Sequence, residues 1–171
     1  MNYDVVTYGD PALRRQAEPI EKIDDELRRL AGDMLRTMYA TSGVGLAAEQ
    51  IGLSRAICVI DLSGGDENRR EPIVMLNPRI LESEGIDESE EGCLSVPEVF
   101  PRIGRSLNVK AVYLDLDGNE RGVEASGLLA RAIQHEIDHL NGVLIIDRMS
   151  RAERAAFSGR LKKLKKNAAV R

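Results

Sequence analysis

A chain of 171 residues, 43% apolar and 30% charged, has the size and balance of one globular domain. No apolar run approaches bilayer length, and Met1-Asn2-Tyr3-Asp4 lacks the basic and apolar regions of an export signal. The sequence therefore reads as cytoplasmic, with no membrane or DNA partner expected. The net charge of −4 is uneven: residues 151–171 hold eight Lys/Arg against one acid, a local +7 that leaves −11 on residues 1–150. Such a tail either meets a polyanionic partner or is simply a solvated helix end.

In chain order, the first helix is predicted over Asp24–Tyr39. Leu27, Leu30, Ala31, Met34, Leu35 and Met38 repeat every 3.6 residues, and Asp24 or Asp25 would cap the start. Gly43 and Gly45 end the pattern. Short aliphatic runs at Arg55–Leu62 and Ile73–Leu76 predict strands. Leu107–Leu116 and Gly122–Glu124 flank Asp117-Gly118-Asn119, a hairpin turn. A second helix is predicted from the N-cap Ser126 to the stop Asn141-Gly142, and a third, basic one from about Ser150, weakened by Gly159. These elements predict an α+β fold: mainly antiparallel strands packed around a central metal-binding helix, with a C-terminal helix. The expected organisation is one catalytic domain, residues 1–150, and a basic helical extension, residues 151–171.

Two cysteines do not make a disulfide framework. Cys58, inside Ala56-Ile57-Cys58-Val59-Ile60, reads as a small buried hydrophobe. Cys93 follows a glycine in polar surroundings and needs another explanation.

On a helical wheel, Leu128, Leu129, Ala132, Ile133, Ile137 and Leu140 form an apolar arc. The chain's only histidines, His135 and His139, fall at its edge, and Glu136 falls within it, while Arg131, Gln134 and Asp138 point the other way. A buried glutamate without a partner is costly. A metal ion offsets that cost, since imidazoles at i and i+4 can share one ion and Glu136, one step round, can act on a water beside it. The same pattern also fits a structural histidine pair. A catalytic site needs a third protein ligand. Asp147 and Glu153 are downstream carboxylates, but Cys93, in Glu91-Gly92-Cys93-Leu94-Ser95-Val96-Pro97, is the better candidate because thiolates bind borderline metals well.

At this point the sequence resembles peptide deformylase. Three motifs occur in order: Gly43-Val44-Gly45-Leu46-Ala47-Ala48-Glu49-Gln50, Glu91-Gly92-Cys93-Leu94-Ser95, and Gln134-His135-Glu136-Ile137-Asp138-His139. With Tyr8-Gly9-Asp10-Pro11 and Asp147-Arg148-Met149-Ser150, the resemblance spans about residues 4–150. It implies hydrolytic removal of the formyl group from N-terminal formyl-methionine of nascent peptides. It assigns Cys93, His135 and His139 to the metal, Glu136 to acid/base work, and Gln50 with the Leu94 N–H to the oxyanion. Iron(II) is the implied ion, with zinc, nickel or cobalt replacing it in preparations. Gly43, Val44, Gly45 and Gly92 would let the peptide lie along the backbone; simple turn geometry also accounts for the glycines.

Glu49 stands where the family often has proline and is expected to point to solvent. Arg131, one turn before His135, has an open role. In relatives with a helical extension the tail resembles a ribosome-docking element, so Arg160, Lys162, Lys163, Lys165 and Lys166 would meet rRNA phosphates. Two rivals remain: a zinc peptidase using a downstream carboxylate, and a metal-stabilised RNA-binding module without catalysis.

Overall fold

The computed structural model describes residues 2–168, so Met1 and residues 169–171, the last of the basic tail, lie outside the described residues. Helix α1, Asp25–Ala40, forms where the 3.6-residue period predicts it. The Asp24 carboxylate accepts the Leu27 N–H at 3.0 Å, satisfying one donor that a helix start leaves free.

Strands β1 (Gly45–Ala47), β2 (Ile57–Ile60), β3 (Ile73–Glu84), β4 (Asp87–Glu90), β5 (Arg102–Arg105), β6 (Asn108–Leu114) and β7 (Glu120–Ser126) follow. They form a five-stranded sheet in the order β1-β2-β3-β6-β7 and a separate β4-β5 ribbon. Every pairing is antiparallel. The hairpin between β6 and β7 turns as expected. Asp115 Oδ1 accepts the N–H groups of Asp117 and Asn119, both at 2.9 Å, and Gly118 takes the left-handed conformation that the turn requires.

Three elements depart from expectation. β3 runs well past Leu76, because register shifts between Leu76 and Arg79 and between Ile80 and Glu82 let the ladder continue across Pro78, which has no N–H to donate. β1 lies inside what reads as a glycine turn. The β4-β5 ribbon has no counterpart among the predicted strands, since Asp-Glu-Ser-Glu against Arg-Ile-Gly-Arg carries no apolar alternation.

Helix α2 covers Gly127–Leu140. Ser126 ends β7 and makes no side-chain cap, so its predicted role fails, whereas Asn141 and Gly142 stop the helix as expected. Helices α3 (Ile145–Arg148), α4 (Arg151–Ala156) and α5 (Ser158–Ala168) complete the chain. The basic helix is broken at Phe157, two residues before Gly159. Ser150 and Glu153 cap α4 reciprocally.

The core follows the pleat. Ile57 and Val59 of β2 pack with α1, and Cys58 and Ile60 pack with α2. The two helices thus cover opposite faces of the sheet. A third cluster joins Leu13, Val96 and Leu144 to Leu161 and Leu164, which anchor α5 on the body. The architecture is α+β, mostly antiparallel, with a C-terminal helix.

Candidate metal centre

From Ala130 to Leu140 no residue of α2 is exposed. Ala130, Ala132, Ile133 and Leu140 press on the sheet. The side that the wheel assigns to solvent is buried too: Arg131 and Asp138 are 6% and 9% exposed. The reason is the β4-β5 ribbon, which brings Arg105 and Glu91 over that side. Leu128, placed in the buried arc by the wheel, is instead exposed at the helix start.

His135 and His139 face each other across one turn, Nε2 to Nε2 at 3.1 Å. The Cys93 Sγ lies 3.3 Å from His139 Nε2. The ligand atoms of the three residues all lie within 4.8 Å of one another, and no other such trio occurs among the described residues. A tetrahedral ion with ordinary bond lengths holds two nitrogens about 3.3 Å apart and a nitrogen and sulfur about 3.6 Å apart. The donor set therefore fits a divalent ion with little movement. Asp147 and Glu153 are engaged elsewhere: Asp147 accepts Arg14 and the Leu144 N–H, and Glu153 accepts Ser150 and the Arg102 N–H.

His135 is oriented from behind, whereas the buried Nδ1 of His139 has no hydrogen-bond partner among the described residues. Glu91 Oε1 sits 2.7 Å from His135 Nδ1. The same carboxylate accepts Arg105 Nη2 at 2.6 Å, Arg105 Nε at 3.0 Å and Arg131 Nη1 at 2.7 Å. Burial opposes ionisation of Glu91, but His135 and Arg105 outweigh it and hold the group well below the usual carboxylate range. An ionised Glu91 places the imidazole proton on Nδ1 and leaves the Nε2 lone pair facing the trio. Asp138 closes the network, accepting Arg105 Nη1 at 2.5 Å and Arg148 Nη2 at 2.6 Å. Burial disfavours charge on both imidazoles; bonding to Cys93 and Glu91 nevertheless draws His135 upward, while His139, beside His135, is driven well down.

Glu136 is 3% exposed, and its Oε2 has no hydrogen-bond partner among the described residues. Burial pushes it up to about 7. Gly45 exists for this side chain: a Cβ there would lie 2.8 Å from Glu136 Cδ and closer still to its Oε1. A Cβ at Gly43 would meet Leu94 Cδ1 at 2.8 Å, and one at Gly92 would meet Phe100 Cε1 at 2.9 Å. Close packing is one reason for glycine here, strongest at Gly45; at Gly43 and Gly92 the neighbours are side-chain ends that can shift.

Gln50 is buried, with its amide oxygen accepting the Ala47 N–H at 2.9 Å. That bond turns its NH2 toward Ser95 Oγ at 3.3 Å and Cys93 Sγ at 3.7 Å. Its neighbour Glu49 does not point to solvent. The turn Ala48–Ile51 tucks in all four of its side chains, and Glu49 is 0% exposed with neither carboxyl oxygen partnered among the described residues. Burial raises it to about 8.

A cleft of about 460 Å³ opens onto the trio, and Val44, Gln50, Leu94, Phe100, Leu128 and Glu136 are among its walls. A larger groove of about 760 Å³ between β3, β6 and β7 is lined by Glu82, Lys110 and Glu124, with no histidine or cysteine. Gly43, Val44, Gly45, Gln50, Gly92, Cys93, Leu94, His135 and Glu136 all border the smaller cleft, and His139 reaches it through Cys93 and His135. Sequence reasoning gave no role to Glu91, Arg105, Arg131 or Asp138. The available signal was a run of charges on the far side of a helix already committed to a buried ion.

The polypeptide deformylase family model matches residues 2–155. The peptide deformylase of Mesorhizobium japonicum is 49% identical over 96% of this chain and 94% of its own length. That of Endomicrobium trichonymphae is 46% identical over 93% of each. Among solved structures, peptide deformylase from Thermus thermophilus superposes with a TM-score of 0.91 at 41% identity, over 98% of this chain and 99% of the other. The Legionella pneumophila enzyme gives 0.89 at 41% identity, over 100% and 99%. Matched in sequence and backbone along nearly its whole length, this chain belongs to the peptide deformylase family and is a hydrolase.

Proposed function

We propose that the chain hydrolyses the formyl group from the N-terminal formyl-methionine of newly made polypeptides, releasing formate. The observation that carries this reading is the convergence of Cys93, His135 and His139 beside a buried Glu136, whose Oε2 has no partner among the described residues, at one cleft. Cys93, His135 and His139 would hold a divalent ion, iron(II) by family resemblance, with zinc, nickel or cobalt able to replace it. Such an ion, when bound, supplies Lewis acidity that lowers the pKa of water and polarises a carbonyl.

The remaining work belongs to the chain. Burial raises the Glu136 carboxyl above the ordinary carboxylate range, which suits a group that must take and return a proton. It accepts a proton from the attacking water and delivers it to the leaving nitrogen as the C–N bond breaks, so formate and a free amino terminus result. The Gln50 NH2, fixed by the Ala47 N–H, and the Leu94 N–H stabilise charge developing on the formyl oxygen; one such donor is worth about 10²–10³ in rate. Strand β1 is an edge of the sheet. The backbone of Gly43, Val44 and Gly45 on one side and Gly92 on the other would take the peptide as an added strand.

The setting follows from the substrate: the cytosol, where nascent chains emerge. Among the described residues no helix is long and apolar enough to cross a membrane. Arg160 is tied to Glu98 and to the Pro97 carbonyl, but Lys162, Lys163, Lys165 and Lys166 line the exposed side of α5. We assign these lysines to rRNA phosphates, with residues 151–171 acting as a docking extension. Replacing all four with Gln should abolish cosedimentation with ribosomes at low salt; unchanged binding contradicts it.

The hydrolytic reading is tested by assaying formate from formyl-Met-Ala-Ser with anaerobic, iron-loaded protein. Steady release supports it. Cleavage of internal peptide bonds without formate would return the assignment to a zinc peptidase.

A further inference from the structure

Arg131 does more than its place on the helix surface predicts. It lies one turn before His135, on the same stripe of α2. Its buried guanidinium makes four hydrogen bonds to three separate segments. Nη1 reaches Glu91 Oε2 at 2.7 Å and the Ile103 carbonyl at 3.0 Å. Nη2 reaches the Asp87 carbonyl at 2.8 Å and Asp87 Oδ2 at 2.7 Å. One side chain thus joins α2 to both strands of the β4-β5 ribbon and to the turn carrying Cys93.

Two arginines grip Glu91, and they face different ways. Arg105 turns toward Asp138 and takes no part in the cleft wall. Arg131 lines the cleft beside Leu128 and Ala132. Arg131 therefore borders the cleft while its planar fork holds the carboxylate 2.7 Å from His135 Nδ1. A fork held at four points resists displacement in a way a single ammonium cannot.

We infer that Arg131 is a positioning residue that couples the substrate side-chain pocket to the metal ligand His135 through Glu91. The identity of the pocket's occupant rests on the deformylase reading; the link to His135 does not. Arg131 sets the depth of the pocket and, through the same guanidinium, the orientation of the carboxylate that fixes the imidazole. Asp87 provides an independent handle, because it bonds Arg131 from β4 and is absent from the cleft wall.

The experiment compares the wild type, Arg131→Met, Arg131→Lys, Asp87→Asn and the Arg131→Met/Asp87→Asn double variant, each zinc-loaded and checked for folding by circular dichroism. The first readout is the rate of zinc loss to a chelator, without substrate. The second is the ratio of kcat/KM for formyl-methionyl over formyl-ethionyl peptides, which differ by one methylene. Arg131→Met should speed zinc loss about tenfold, the low end for groups that support a metal ligand, and lower the ratio. Arg131→Lys should recover only part of either. Asp87→Asn should move both readouts the same way by a smaller factor, with no further change in the double variant. Wild-type behaviour of Asp87→Asn in both readouts overturns the inference, as does an Arg131→Met effect on one readout alone. Wild-type protein that releases no formate defeats the deformylase reading instead, and zinc loss still decides the link to His135.

Discussion

Helices α1 and α2 cover opposite faces of the same sheet, and their differences separate scaffold from site. Along α1 the apolar stripe Leu27, Leu30, Ala31, Met34 and Met38 is buried, while Asp25, Glu26, Arg28, Arg29 and Arg36 are exposed. That helix is positioned mainly by hydrophobic burial, with isolated polar ties such as the Tyr39 hydroxyl to Asp61 and the Tyr3 N–H to Thr37. Along α2 the apolar stripe is equally well packed, yet the opposite side is also covered, by carboxylates and guanidiniums in a closed network. A helix that only had to bury its apolar face would leave Arg131 and Asp138 in water, where desolvation costs nothing. Burying them is justified by what they hold: Glu91 against His135, and thus an imidazole aimed at Cys93 and His139.

The comparison predicts that breaking the two helices does different damage. Glu91→Ala removes the carboxylate shared by two buried arginines, leaving Arg105 only Asp138 and Arg131 only Asp87 as anions, and frees His135 Nδ1, so unfolding in denaturant should show a loss of about 3–5 kcal/mol. Metal affinity, measured by competition with a chelator, should fall about 10–100-fold. Met34→Ala, in α1, should cost about 2–5 kcal/mol through the cavity it leaves. Activity per folded molecule and metal affinity should stay at wild-type levels. A Met34→Ala protein with weakened metal binding would dissolve the distinction.

A third effect, which depends on pH, concerns Glu49, a buried acid in neither helix. Its folded-state pKa of about 8 lies above the ordinary value of 4.5, so the folded protein binds this proton more tightly than the unfolded chain. Stability from this group is fully present below 4.5 and is lost as pH rises toward 8. Glu49→Gln should therefore be more stable than wild type by a margin that widens between pH 5 and pH 8, read as the difference in Tm at the two values. A constant margin would mean that Glu49 finds a partner when ionised.

Much of this organisation is legible in the residues. The period of α1, the Asp117-Gly118-Asn119 turn and the placement of His135 and His139 on one stripe with Glu136 one step round follow from local spacing. What was not legible depends on partners distant in sequence. Asp87–Glu90 carries no strand pattern of its own and becomes a strand only through its pairing with Arg102–Arg105. Arg131 and Asp138 read as a solvated face until the ribbon covers them. Glu49 reads as a surface charge because nothing local announces that a four-residue turn will bury every side chain. Buried charge is set by tertiary pairing, and a periodic pattern records only apolar burial.

The central claim is that ligands and proton carrier are separate groups in one cleft: Cys93, His135 and His139 hold the ion, and Glu136 moves the proton. Metal content and formate release, measured together on wild type, Cys93→Ala and Glu136→Ala, test that division most directly. The account predicts one ion per chain and active hydrolysis in wild type. It predicts a retained ion with formate release reduced by about 10²–10⁴ in Glu136→Ala, and loss of both ion and activity in Cys93→Ala. A Glu136→Ala protein that keeps near wild-type formate release, or a Cys93→Ala protein that keeps its ion, would contradict it.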